Sequence, residues 1–130
     1  MKQILLLLAI VTIIVSCKKS DNNNDRPGEV YGKWKLTETL YDIGNGQGKY
    51  TKVTGEAKYL KVEKSGNQAG KFKGDAMPNL LSFKILDSVR MEVYSSNYQM
   101  PTIFRYQVSA NSLELNPPCI EGCGYRFSRD

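Results

Sequence analysis

From residue 29 onward, apolar side chains recur at every second position, and no stretch longer than about seven residues carries a helical stripe. The alternation predicts short half-buried strands separated by polar turns. In a first strand over residues 33–41, Trp34, Leu36 and Leu40 face one way, with Lys33, Lys35, Thr37 and Thr39 opposite. Residues 42–48 (DIGNGQG) form a glycine-rich loop, and 50–54 and 57–64 read as the next strands. A turn at Ser65, Gly66 and Asn67 leads into a short strand over 70–73, and the connection 75–79 contains Pro78. Leu81, Phe83 and Ile85 then alternate, and Asp87 and Ser88 turn the chain into Val89, Met91 and Val93. After a turn over 95–101, Thr102, Phe104, Tyr106 and Val108 alternate with Ile103, Arg105 and Gln107. A turn over 109–112 leads to Leu113 and Leu115, Pro117 and Pro118 stop that strand, and 125–127 closes the sheet. The expected fold is all-β: an antiparallel up-and-down meander of about eight strands, closed into a small barrel because closure removes exposed edges.

The first 28 residues follow a different pattern. Lys2 precedes an apolar run from Ile4 to Val15, broken only by Thr12. A membrane-spanning helix needs roughly 20 apolar residues, so a run of this length is expected to be the core of a signal peptide. Ile14, Val15, Ser16 and Cys17 resemble the bacterial lipobox. That resemblance implies diacylglycerol (palmitate-type) acylation of the Cys17 sulfur and cleavage after Ser16. Residues 1–16 are then the lipoprotein signal peptide. Residues 17–28 (CKKSDNNNDRPG) have no aliphatic or aromatic side chain and are expected to be a flexible tether. A coil of that length reaches some 20 Å. Residues 29–130 are left for one domain, as the 130-residue length suggests.

Charge adds little to this picture. The net charge is +5, from 18 basic and 13 acidic residues, and the lysines are spread singly, as on solvated strand faces. No nucleic-acid surface is expected, and weak attraction to an anionic membrane remains open.

Gly32, Lys33 and Trp34, a Gly-x-Trp at the start of the first strand, resemble the opening of the lipocalin and wider calycin group. Together with GKWKLTETLYD, NSLELN and the terminal CIEGCGYRF, the order of elements over residues 30–128 resembles small lipocalin-like lipoproteins of Bacteroidetes. The resemblance implies a β-barrel whose Trp34 packs across the closed end against a basic residue of the last strand, Arg126, with Arg129 as the alternative. It implies a lipid-anchored, non-catalytic protein of the cell envelope, expected at the outer membrane on its periplasmic or surface face. Such a protein would bind a small, mostly apolar ligand. The alternative is a structural or interaction module of an envelope complex, an accessory subunit or inhibitor with a protein partner, acting through residues 42–48 and 95–101. A domain of this length has shorter strands than many lipocalins, and an eight-stranded interior is either filled by side chains or just able to hold one small ligand.

The chemistry-bearing residues are few. Cys119 and Cys123 lie in a Pro/Gly-rich loop and are expected to form a disulfide outside the cytoplasm. The chain has no histidine, which removes Ser-His-Asp and Cys-His catalysis and leaves too few ligands for a zinc site. Glu38, Asp87, Glu92, Glu114 and Glu121 show no spacing that marks a catalytic carboxylate pair. Asp42, Asn45 and Asp75 fit turn chemistry better than calcium binding. No enzyme, metal or cofactor is expected. Tyr59, Phe72, Phe83, Phe104 and Tyr106 are the candidates to line a cavity, and they are equally what a packed barrel needs.

Overall fold

The computed structural model describes residues 29–130; the expected signal peptide (1–16) and tether (17–28), with Cys17, lie outside the described residues. The described chain forms nine strands: β1 (Gly32–Tyr41), β2 (Tyr50–Lys52), β3 (Tyr59–Gly66), β4 (Ala69–Gly74), β5 (Leu80–Ile85), β6 (Arg90–Ser95), β7 (Thr102–Val108), β8 (Ser112–Asn116) and β9 (Cys123–Arg129). Every pairing is antiparallel. Strands β3 to β9 pair in chain order, and β1 pairs with β3 on one edge and β9 on the other, so eight strands close into a lipocalin-like barrel. The short β2 is the additional strand. It pairs with the second half of β1, on the edge that β3 leaves after Lys35.

The inward residues are those that the alternation requires. Trp34, Leu36, Leu60, Val62, Phe72, Phe83, Met91, Val93, Phe104, Tyr106, Leu113, Leu115 and Phe127 form a single buried core. Trp34, Leu60 and Leu115 are completely shielded from solvent. Burial of apolar area at roughly 25 cal/mol per Å² is the main force that holds so short a set of strands closed.

Two β-bulges alter the expected faces. In β1, Leu36 pairs with Phe127 and Glu38 with the adjacent Arg126, so Thr37 is the extra residue. A bulge shifts the alternation by one, and Leu40 therefore shares the outer face with Glu38 rather than the inner face with Trp34 and Leu36. In β5, the register shifts between Leu80 and Ser82. Leu80 is consequently the buried residue, and Leu81, expected beside Phe83, is exposed. Val89 lies in the β5–β6 turn and is also exposed, while Met91 and Val93 point inward as expected.

Candidate functional site

The two ends of the barrel differ. At the end where β1 begins, Trp34 is the plug: its Nε1 donates to Val30 O at 2.8 Å. Arg129, the register partner of Trp34 across the β1–β9 pair, lays its guanidinium 4.1 Å from the indole centre. The same guanidinium donates to Ala110 O, Tyr31 O and Glu29 O at 2.6, 3.0 and 2.8 Å, binding the incoming chain and the β7–β8 turn to the plug. Gly32 makes this possible. Its φ is 132°, and a Cβ there would stand 2.7 Å from Arg129 Nη1. On the neighbouring side, Tyr106 donates its hydroxyl to Asp87 O, and Asp87 accepts from Val89 N and Arg90 N. This end is closed.

The expected partner of Trp34, Arg126, is not there. Arg126 pairs with Glu38 and Glu114 in the sheet register, alternates with the buried Phe127, and therefore points outward. It stacks 3.6 Å from the ring centre of Tyr50 and bonds Glu114 at 3.0 Å and Glu38 at 3.2 Å. Tyr50 donates to Glu114 at 2.9 Å and accepts from the Asn116 amide at 3.3 Å. The ring passes over Gly124, where any Cβ would overlap the Tyr50 hydroxyl. The cluster fastens β2 across the outside of β1, β9 and β8. Burial pushes the Glu114 carboxyl up, but the bonds from Arg126 and Tyr50 outweigh it, so the group stays below its ordinary range. A carboxylate held ionised between an arginine and a phenol is suited to bracing strands rather than to donating a proton.

The opposite end is open. The β4–β5, β6–β7 and β8–β9 connections surround a cleft of about 400 Å³, walled by Leu80, Tyr98, Phe104, Tyr125, Pro117 and Pro118, with Asn79, Asn97, Ser95 and Thr102 among its polar groups. Cys119 and Cys123 form the expected disulfide, Cα to Cα 5.8 Å, and it is part of the wall. Among the described residues, no Asp, Glu, Lys or Arg lines the cleft. Ser95 Oγ is buried and has no hydrogen-bond partner among the described residues. A hydroxyl left unsatisfied costs about 1–3 kcal/mol.

The five aromatic residues proposed as lining therefore separate. Phe104 lines the cleft. Phe72 and Phe83 fill the interior, their ring centres 4.7 Å apart, and Tyr106 is committed to the closed end. Tyr59 lies on the outer face beneath Lys33 Nζ, 4.1 Å from its ring centre, and lines nothing inside. Tyr98, Tyr125 and Leu80 were not anticipated. Tyr125 alone had a signal, since it is in phase with Phe127 along β9.

Of the remaining candidates, Asp42 and Asn45 resolve as turn chemistry, and Asp75 and Glu92 as single contacts to neighbouring strand residues. Asp42 accepts from the amides of Gly44, Asn45 and Gly48, which holds its carboxyl below the ordinary range. Asn45 accepts from Gln47 N, and Asp75 from Tyr59 N. Glu92 accepts from the Tyr94 hydroxyl. Among the described residues no group of three or more His, Cys, Asp or Glu side chains is placed to hold a metal ion. No protein-family model, no curated protein and no solved structure matches this chain.

Proposed function

We propose that the chain is a lipid-anchored, non-catalytic binding protein of the bacterial envelope, whose open barrel mouth takes a small, mostly apolar, uncharged molecule. The observation that carries the reading is the mouth cleft walled by aromatic and proline side chains, with no charged side chain among the described residues that line it. An uncharged wall disfavours an ionic ligand, because a charge taken out of water there finds no counter-charge. The aromatic and proline side chains supply the apolar surface, and Thr102 with the Asn79 and Asn97 amides supplies the few polar contacts typical of small-molecule sites. Anchoring through Cys17 rests on the lipobox-like residues 14–17.

Native mass spectrometry of protein purified from its own host tests the binding. The expected result is a co-purifying neutral molecule that is displaced when Phe104 is changed to Trp to fill the cleft. Protein that arrives empty and gives no protected signal with a panel of neutral hydrophobic probes overturns the reading.

A second reading, an interaction module acting through its loops, is favoured by one observation. Tyr41, Ile43, Tyr98 and Met100 are 66–75% exposed, Ile120 is fully exposed, and all five lie at the open end. Such a rim suits contact with another protein. Detergent extraction with crosslinking through residue 43 or 120, giving one discrete adduct, would favour it over the ligand reading.

A further inference from the structure

We infer that the outer face of β1, β3 and β4 lies against an anionic lipid headgroup surface, in the membrane that holds the chain. The inference rests on the lipid-anchor reading above and adds an orientation to it.

Lys33 and Lys35 on β1, Lys61 on β3, and Lys71 and Lys73 on β4 all project outward, since the residues between them are buried. The register sets three of them in one row across three strands: Lys33 opposite Lys61, and Lys61 opposite Lys73. Like charges directly opposite on neighbouring strands oppose folding, so the row is not what stability alone would select. Two carboxylates offset it. Glu63 bridges Lys61 and Lys73 at 3.0 and 2.7 Å, and Asp130 meets Lys33 at 2.6 Å. Lys35 and Lys71 have no acidic partner within ion-pair distance among the described residues. Five lysines minus their two carboxylate partners leave this cluster at +3, and Glu38, farther along the same face of β1, is paired with Arg126 of β9.

The occupant follows from shape, chemistry and position. The cations are all lysines, point charges without the bidentate fork that reads a discrete phosphate, and they stand on a sheet face rather than in a pocket. That suits a broad, laterally mobile layer of negative charge. The chain enters the domain at Glu29, which Arg129 ties to the closed end, and Lys33 follows directly. The tether therefore delivers this end of the barrel to the bilayer, and a weak attraction suffices once a short linker holds the face close. At the other end, Asp42, Asp75 and Glu121 sit in the mouth connections. The same surface repels them, which keeps the mouth directed away from the lipid.

The test uses the full acylated protein on vesicles of phosphatidylcholine alone, or of phosphatidylcholine and phosphatidylglycerol in equal parts. Lysines are acetylated with an amine-reactive reagent and read peptide by peptide by mass spectrometry. On anionic vesicles, labelling of Lys35 and Lys71 is expected to fall several-fold relative to Lys49 in the β1–β2 connection, and to recover in high salt. The K35E/K71E variant, both positions exposed, should lose the protection at Lys61 and Lys73 while keeping its thermal transition. Equal labelling of the face on both vesicles overturns the inference. So does protection by soluble dextran sulfate with none on vesicles, which would assign the face to a soluble polyanion. Protein that washes off neutral vesicles overturns the anchor reading instead, before the face is tested.

Discussion

The guanidinium of Arg129 lies 4.1 Å from the ring centre of Trp34, its direct neighbour across the seam where the first and last barrel strands meet. This single contact joins three pieces of chain far apart in sequence, because the same group also donates to carbonyls at Glu29, Tyr31 and Ala110. The seam is the last pairing the chain can make, so its closure depends on contacts of high sequence separation.

Arg129→Ala should therefore cost about 2–4 kcal/mol, a cation–π contact together with three charge-assisted hydrogen bonds, two of them part-buried. Arg126→Ala, which removes outer-face ion pairs half in water, should cost markedly less and lose its effect in high salt. Urea unfolding of the two variants, followed by the emission of the lone Trp34, compares them directly. Equal losses would contradict the assignment of Arg129 as the plug's partner.

Gly32→Ala probes the same end through the backbone. A φ of 132° is open to glycine and strained for alanine, and the new methyl would press on Arg129 Nη1. A loss of about 1–3 kcal/mol is expected, with red-shifted Trp34 emission as the plug loosens. A variant as stable as the parent would show that the contact can relax freely.

The strands themselves were legible because burial on one face writes a period of two into the chain, and the expected turns fall between strands to within two residues, Ser65 and Gly66 ending β3, Ser95 ending β6 and Ser112 opening β8. What the alternation could not mark was a bulge. An extra residue at Thr37 or Leu81 has no composition of its own, so Leu40 and Leu81 were assigned the wrong face. Arg129 was more accessible than it looked: Tyr125, Phe127 and Arg129 are in phase along β9, and Arg126 is out of phase. By the same parity Tyr59, next to the buried Leu60, belongs outside. The cleft was not legible, because its walls come from three connections whose meeting depends on the barrel's closure rather than on any local pattern.

Acid should weaken the lysine row through Glu63. Bonds from Lys73 and then Lys61 hold the Glu63 carboxyl well down, from the ordinary 4.5 to about 2. A folded-state value below the unfolded one means that the contribution is fully present above the unfolded value, and is lost as pH falls from there toward 2. Glu63→Gln should thus lower the thermal midpoint at neutral pH, with added salt restoring much of the loss by screening the three opposed lysines. As pH falls toward 2, the difference between variant and parent should narrow. A constant difference across that range would place the effect in packing rather than charge.

Removing the disulfide tests the rigidity of the mouth separately from the barrel. Cys119 and Cys123 close a loop of only four positions, so the loss of chain constraint should cost no more than about 2 kcal/mol. Cys119→Ser/Cys123→Ser should remain folded and soften only its cleft wall, seen as faster amide exchange over residues 117–123. Global unfolding on reduction would give the bridge a larger role than its span allows.

Ser95 separates a binding site from a packing flaw. Its Oγ is buried without a partner, so Ser95→Ala removes an unsatisfied group and should leave the empty protein as stable as the parent or more so. If ligand entry turns the Ser95 side chain into the cleft and its hydroxyl bonds a polar group there, the same change should weaken binding by about 1 kcal/mol, near fivefold in affinity. The two effects have opposite signs, and an ordinary structural hydroxyl would not produce that pairing. Thermal unfolding of the unliganded variant, set beside titration with the neutral molecule recovered from the native protein, reads both. A variant that loses stability without ligand would mean that Oγ has a partner, such as a fixed water. One that binds as tightly as the parent would remove Ser95 from the site.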